Sequence, residues 1–289
     1  MNAKEGFVEV TGGKVWYQQH DSAMGGTPVL VLHGGPGSSH YSLQGLRVLA
    51  EDRPVIFYDQ LGCGRSDRPE DNDLWTIDRF VEELGQLREA LNLEEVHILG
   101  HSWGTTLAAA YMLTKPKGVK SVIFSSPCLS APLWAEDQMR NRELLPEEIQ
   151  AVLLECEKNG TTDSKAYEDA TIEFNKRFVC RLDPFPEFLK EGAKYKNPTV
   201  YNIMWGPSEF TVTGNLKDFD CTDRLKEIDV PTLYTCGRFD EATPSSTEYF
   251  SSLTPGGKFH VFEESAHMPY LEEQEEYIKV VSGFFNNID

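Results

Sequence analysis

Residues 96–104 read VHILGHSWG, and residues 105–110 read TTLAAA. An apolar run leads into Ser102, which stands between Gly100 and Gly104, and small residues follow. This is the G-x-S-x-G pattern in a strand–turn–helix setting. A turn that sharp forces the residue at its apex into a strained backbone conformation, and side chains at the flanking positions would collide with neighbouring backbone. The reading predicts a buried strand ending at a serine whose hydroxyl is lifted above the sheet. The small residues after it let a helix pack closely.

Working outward, the same rhythm recurs on both sides. PVLVLHGG (28–35) is an apolar run stopped by glycines, SLQGLRVLAED (42–52) reads as a helix, and PVIFYDQLG (54–62) is another run and stop. TIDRFVEELGQLREALNL (76–93) carries apolar residues at spacings of three and four, a helix signal, and SVIFSSP (121–127) is a fourth run. FVEVTGGKVWYQQH (7–20) reads as a hairpin around Gly-Gly. Alternating strands and helices with doubly apolar strands mean a mostly parallel sheet covered by helices on both faces, an α/β architecture. The rhythm stops over residues 130–228, which are rich in Glu, Lys and aromatics and include PEEIQAVLLECEKNG (146–160). That stretch is expected to be an inserted helical cap, with 1–129 and 229–289 forming the core. VPTLYTCGRFD (230–240) and KFHVFEESAH (258–267) resume the strands, and LEEQEEYIKVVSGFFNNI (271–288) reads as one closing helix.

In such sheets, ligands bind beyond the carboxyl ends of the strands. Ser102, Gly34 and Gly35, Asp240 and His267 all follow strand runs, so the rule gathers them on one rim. A serine hydroxyl is a poor nucleophile until a base takes its proton. Of seven histidines, His97 and His260 lie within strand runs, His20 in the hairpin, and His33 and His40 at the glycine loop. His101 leaves the turn in another direction. His267 is therefore the expected base. Asp240 is expected to hold the imidazole, ahead of Asp223 and Asp229, which precede their strand. Acyl transfer also needs donors for an oxyanion. The backbone N–H groups of Trp103, next to the nucleophile, and Gly35, in HGGPG (33–37), fill that requirement. HGGPGSS lacks the GK[ST] ending of a phosphate loop. No HExxH, Cys/His cluster or GxGxxG suggests a metal or nicotinamide cofactor, and none is expected.

Composition narrows the field further. The chain has 289 residues, 40% of them hydrophobic, and a net charge of −19. A field of that sign repels nucleic acid and anionic membranes. No apolar run approaches the ~18 residues of a membrane span, and MNAKEGFVEV lacks a signal peptide's apolar stretch. Six scattered cysteines without CxxC read as reduced thiols, so the expected location is the cytoplasm. Oligomeric state is not encoded in any of these features.

The motifs HGGPGSSH (33–40), YDQLGCGRSDRP (58–69), GHSWGTTLAAAYML (100–113), YNIMWGPSEFTVTGNLKDFDCTDRL (201–225), GRFDEATP (237–244) and ESAHMPYLE (264–272) resemble the α/β-hydrolase fold. Within it they are similar to the proline iminopeptidases and tricorn-interacting aminopeptidases. The resemblance implies a serine aminopeptidase that removes single N-terminal residues, proline or another apolar one, from short peptides through an aminoacyl-enzyme. It implies Ser102, Asp240 and His267 as triad, Gly35 and Trp103 as oxyanion donors, and Glu209 and Glu241 as ligands of the substrate's free amino group. Two carboxylates have a physical reason to be there: they distinguish a terminal ammonium from an internal amide by charge-assisted hydrogen bonds. The chain departs from the family's common GQSWGG in carrying GHSWGT. Trp205 and FVCRLDPFPEF (178–188) are candidates to shape the pocket or to pack the cap. The expected partners are short peptides or amino-acid amides with a free N-terminus. The rival readings are an amino-acid amidase or esterase with the same triad, and a non-catalytic ligand-binding protein on a hydrolase fold.

Overall fold

The computed structural model describes residues 3–289. Eight strands form one sheet: β1 (Ala3–Val10), β2 (Gly13–His20), β3 (Val29–Leu32), β4 (Val55–Tyr58), β5 (Val96–Ser102), β6 (Val119–Pro127), β7 (Thr232–Gly237) and β8 (Lys258–Phe262). Their spatial order is β1-β2-β4-β3-β5-β6-β7-β8. β1 and β2 pair antiparallel across the Gly12–Gly13 turn, β2 meets β4 antiparallel, and every later pairing is parallel. β3, β4 and β7 are buried at every residue, as strands covered on both faces must be.

The helices between strands supply the cover. α1 (Ile77–Ala90) starts where the Thr76 side chain accepts from the Arg79 N–H, and its Phe80, Leu84 and Leu87 face the sheet. α2 (Trp103–Met112) leaves directly from Ser102 and is buried almost all round. These two pack on one face with Leu30, Ile56, Ile98 and Phe124. The opposite face carries the segment His40–Glu51 and two helices near the C-terminus, α9 (Pro269–Glu272) and α10 (Gln274–Asn286), packed with Val29, Val31, Phe57, Leu99 and Ile123. α8 (Pro244–Leu253) fills the connection from β7 to β8.

Two expectations are corrected in detail. The segment His40–Glu51 winds as a 3-10 helix rather than an α-helix. There, a Cβ on Gly45 would come within 2.9 Å of the Tyr270 carbonyl oxygen, so the segment passes hard against α9. The expected closing helix is broken at Glu273, whose backbone leaves helical geometry. The Glu273 carboxylate accepts from the Ser265 hydroxyl and the Glu264 N–H, and Glu272 accepts from the N–H groups of Arg181, Ala266 and Met268. The break lets two consecutive carboxylates tether the loop that carries His267.

Between β6 and β7 run α3 (Ala131–Glu143), α4 (Glu147–Asn159), α5 (Lys165–Phe178), α6 (Glu187–Ala193) and α7 (Pro198–Met204), then a 3-10 turn Thr222–Glu227. α4 ends at Gly160, in the left-handed region that favours glycine. Leu145, Leu153, Tyr167, Phe174, Phe178 and Phe210 form a separate small core under α4 and α5. Val200, Met204, Trp205, Leu216 and Leu225 join the main core instead. The six cysteines are buried and unpaired. Among the described residues, no helix is long and apolar enough to cross a membrane.

Candidate active site

Ser102 has φ 56° and ψ −126°, the positive φ the turn demands. Both glycines are required there. A Cβ on Gly100 would lie 2.4 Å from the Gly104 carbonyl oxygen, and a Cβ on Gly104 would lie 2.2 Å from that of Leu32. α2 therefore starts in backbone contact with the end of β3. Gly34 lies against the serine, with room for only 3.0 Å between an added Cβ and Ser102 Cβ.

His267 Nδ1 donates to Asp240 Oδ1 at 2.6 Å, with both side chains buried. The Asp240 carboxylate also accepts from the N–H groups of Gly237 and Ala242, so its orientation is set by its own turn. Ser102 and His267 line one cavity of about 360 Å³, but Ser102 Oγ makes no hydrogen bond among the described residues. Such contacts commonly close only around substrate. The His267 backbone is held from three sides. His101 Nε2 donates to its carbonyl at 2.7 Å, Ser126 Oγ donates to the same oxygen at 3.2 Å, and its N–H donates to Val179 O at 3.2 Å. Burial, then the neighbouring His267, push the His101 imidazole down to about 3, so it stays neutral.

The N–H of Gly35 has no backbone acceptor among the described residues. Trp103 is the first residue of α2, where N–H groups precede the intrahelical ladder. One side chain ties their two segments together. Gln60 Oε1 accepts from Trp103 Nε1 at 2.8 Å, and Gln60 Nε2 donates to His33 O at 3.0 Å. His33 in turn accepts the Gln60 N–H at Nε2 and donates from Nδ1 to Gly34 O, bracing the glycine loop.

Glu241 and Glu209 face the same cavity. Glu241 is 1% exposed, its Oε1 lies 3.6 Å from His267 Nε2, and its Oε2 has no partner. Burial, and then the negative charges of Glu209 and Asp240, raise its carboxyl well above the usual range. The Glu209 carboxyl is raised by burial, against the pull of the Tyr201 hydroxyl, His267 and Lys196. The Glu209 carbonyl accepts from Trp134 Nε1 at 2.9 Å, and the Glu241 carbonyl accepts from Gln138 Nε2 at 2.9 Å, so α3 positions both acids. Two acids with no Lys or Arg ion pair among the described residues thus share a cavity with a serine and a histidine held by an aspartate, an arrangement with the chemical means to receive a carbonyl next to a cation. A narrow recess beside Ser102 is walled by Trp103, Trp134, Trp205, Thr106 and Cys128. Trp205 thus reaches the site. Of residues 178–188 only Val179 lines the main cavity, and Phe185 is exposed. Gln60, His101 and Trp134 were not singled out from sequence as site residues. A place two residues past the end of β4, in a strand-end loop, was the one signal for Gln60.

The sequence profile of the alpha/beta hydrolase fold matches residues 27–274. A proline iminopeptidase of Heyndrickxia coagulans is 68% identical over 285 residues, covering 98% of this chain and 99% of that protein. The chain belongs to the proline iminopeptidases of the α/β-hydrolase fold. Solved structures agree: the proline iminopeptidase of Mycobacterium smegmatis superposes with a TM-score of 0.92 at 36% identity, covering 98% of each chain. VinJ superposes with a TM-score of 0.95 at 35% identity, covering 99% of each.

Proposed function

We propose that this chain is a cytoplasmic serine aminopeptidase that releases N-terminal proline from short peptides. The observation that carries the reading is the pair of carboxylates, Glu209 and Glu241, facing the same cavity as Ser102 and His267. The substrate's terminal ammonium binds between the two carboxylates, neither of which has a Lys or Arg ion pair among the described residues. An internal amide would leave them buried and unpaired, a cost that excludes it. The proline ring occupies the main cavity between Ser102 and the two glutamates. His267 takes the proton of Ser102 as its oxygen attacks the first carbonyl, while Asp240 holds the imidazole and stabilises its charged form. The N–H groups of Gly35 and Trp103 receive the oxyanion. His267 then protonates the leaving amine, and water releases the proline from the acyl-enzyme by the same steps in reverse. In this reading residues 130–228 are the cap that closes the site, and residues 1–129 and 229–289 are the catalytic core.

The test compares prolyl-β-naphthylamide with its N-acetylated form for wild type, Ser102→Ala and Glu209→Gln. The expected outcome is cleavage of the free amine only, loss of turnover in Ser102→Ala by a factor of about 10⁴ or more, and at least a tenfold fall in kcat/KM for Glu209→Gln. Equal cleavage of the acetylated compound would refute the ammonium clamp and leave a general amidase or esterase.

A further inference from the structure

The cavity that holds Ser102 is lined by one lysine and no arginine, against two carboxylates. That residue, Lys196, is exposed and forms no ion pair among the described residues, whereas its neighbours Lys190 and Lys194 are paired with Glu187 and Glu191. Its backbone is anchored. Asn197 N–H donates to Gly37 O at 2.8 Å, Asn197 Nδ2 to Gly62 O at 2.6 Å, Gly64 N–H to Tyr195 O at 3.0 Å, and Arg68 donates to the carbonyls of Tyr195 and Lys196. The turn is thus tied to the loop that carries Gly35 on one side and to the loop after β4 on the other. The ammonium rides on a flexible stem from a fixed point at the mouth of the cavity. Its charge reaches inside, since it counts among the influences that pull the Glu209 carboxyl down.

We propose that Lys196 receives the C-terminal carboxylate of the substrate, so that the enzyme selects dipeptides over longer peptides and over substrates without a terminal carboxylate. The inference rests on the aminopeptidase reading and adds an opposite end to it. With the ammonium between Glu209 and Glu241 and the first carbonyl at Ser102, a dipeptide's carboxylate lies one residue, about 3.5 Å, beyond the scissile bond. A cavity of about 360 Å³ stands at the low end of the ~300–1,000 Å³ that ligand sites span. In a protein of net charge −19, a peptide carboxylate approaching the site is repelled unless a local cation receives it. On α5, the Thr171 hydroxyl is buried without a partner and Asn175 follows one turn on, both lining the same cavity, so neutral donors stand ready for the peptide's remaining oxygen atoms.

The deciding experiment measures kcat/KM at pH 7 for prolyl-alanine and prolyl-alaninamide, which differ only in the terminal charge. Wild type is expected to favour the free acid by about five- to tenfold, the size of one charge-assisted contact that is partly exposed. In Lys196→Met the ratio falls to about one, and in Lys196→Glu it inverts. Raising NaCl to about 1 M, where screening reaches ~3 Å, shrinks the wild-type ratio. An acid-to-amide ratio that Lys196→Met leaves at its wild-type value overturns the proposal, whether the two rates stay put or fall together. Wild type that cleaves the amide and ignores the free acid overturns it too, yet leaves the aminopeptidase reading standing. Cleavage of neither compound overturns both.

Discussion

Glu241 shows what the site costs the protein. A carboxyl buried with one oxygen unpartnered and two other acids nearby resists ionisation. Because its folded value is raised, the stability it contributes is fully present below the usual carboxyl range and is lost as pH rises through the folded value. Glu241→Gln removes that charge. Its Tm is expected to exceed wild type by a margin that grows as pH rises above the usual carboxyl range, reaching a few degrees for a relief on the order of 1–3 kcal/mol. Prolyl-β-naphthylamide turnover falls in the same variant. Thermal scans across pH check this, and a margin that shrinks as pH rises would contradict it. His101 behaves differently. Pushed down to about 3, it stays neutral and serves through the hydrogen bond its Nε2 donates to the His267 carbonyl. Sequence set it aside as the base, yet gave no hint of that bond, because a contact between residues 166 positions apart depends on how two loops meet.

At the scale of elements, the elbow was legible and its support was not. The glycines around Ser102 follow from local sterics, which a short sequence window contains. The Gln60 bridge joins the end of β3, the loop after β4 and the start of α2, and only the assembled sheet brings those three together. If the bridge sets the relation of Gly35 to Trp103, Gln60→Ala should lower kcat for prolyl-β-naphthylamide by about 10- to 100-fold while KM moves by less than about threefold. Steady-state kinetics separate this from general loosening, in which both constants would move. The break between α9 and α10 has the same character. Residues 271–288 carry a helical pattern throughout, but Glu273 and Glu272 satisfy backbone groups of the loop that bears His267, and tertiary hydrogen bonds outweigh local propensity. Such bonds join parts of the chain that no single helical window spans.

Over the whole molecule, 46 acidic residues stand against 27 basic ones. Many surface pairs, such as Lys190 with Glu187 and Lys279 with Glu276, sit three residues apart on one helix and contribute little each. The uncompensated remainder repels itself, so folding should be favoured by screening. Tm is expected to rise by roughly 2–4 °C between about 0.01 and 0.5 M NaCl. The acid-to-amide preference assigned to Lys196 should move the opposite way over that range. Salt thus separates the global field, which opposes compaction, from one local cation, which attracts substrate.

Sequence alone determined the α/β class, the sheet-forming runs, the inserted helical stretch and the family, because strand burial, helical period and the glycine-flanked serine are properties of short contiguous segments. The motifs also singled out Ser102, Asp240, His267 and the two glutamates as candidates by number. Tertiary structure alone decided that the end of α5 pins both the Glu241 and His267 loops through Phe178 and Val179. It also decided that Gln60 spans the segments bearing Gly35 and Trp103, and that Lys196 lines the cavity with no ion pair among the described residues. Each of these is a relation between distant segments, set by which hydrogen bonds and apolar contacts survive when all the elements compete for the same core.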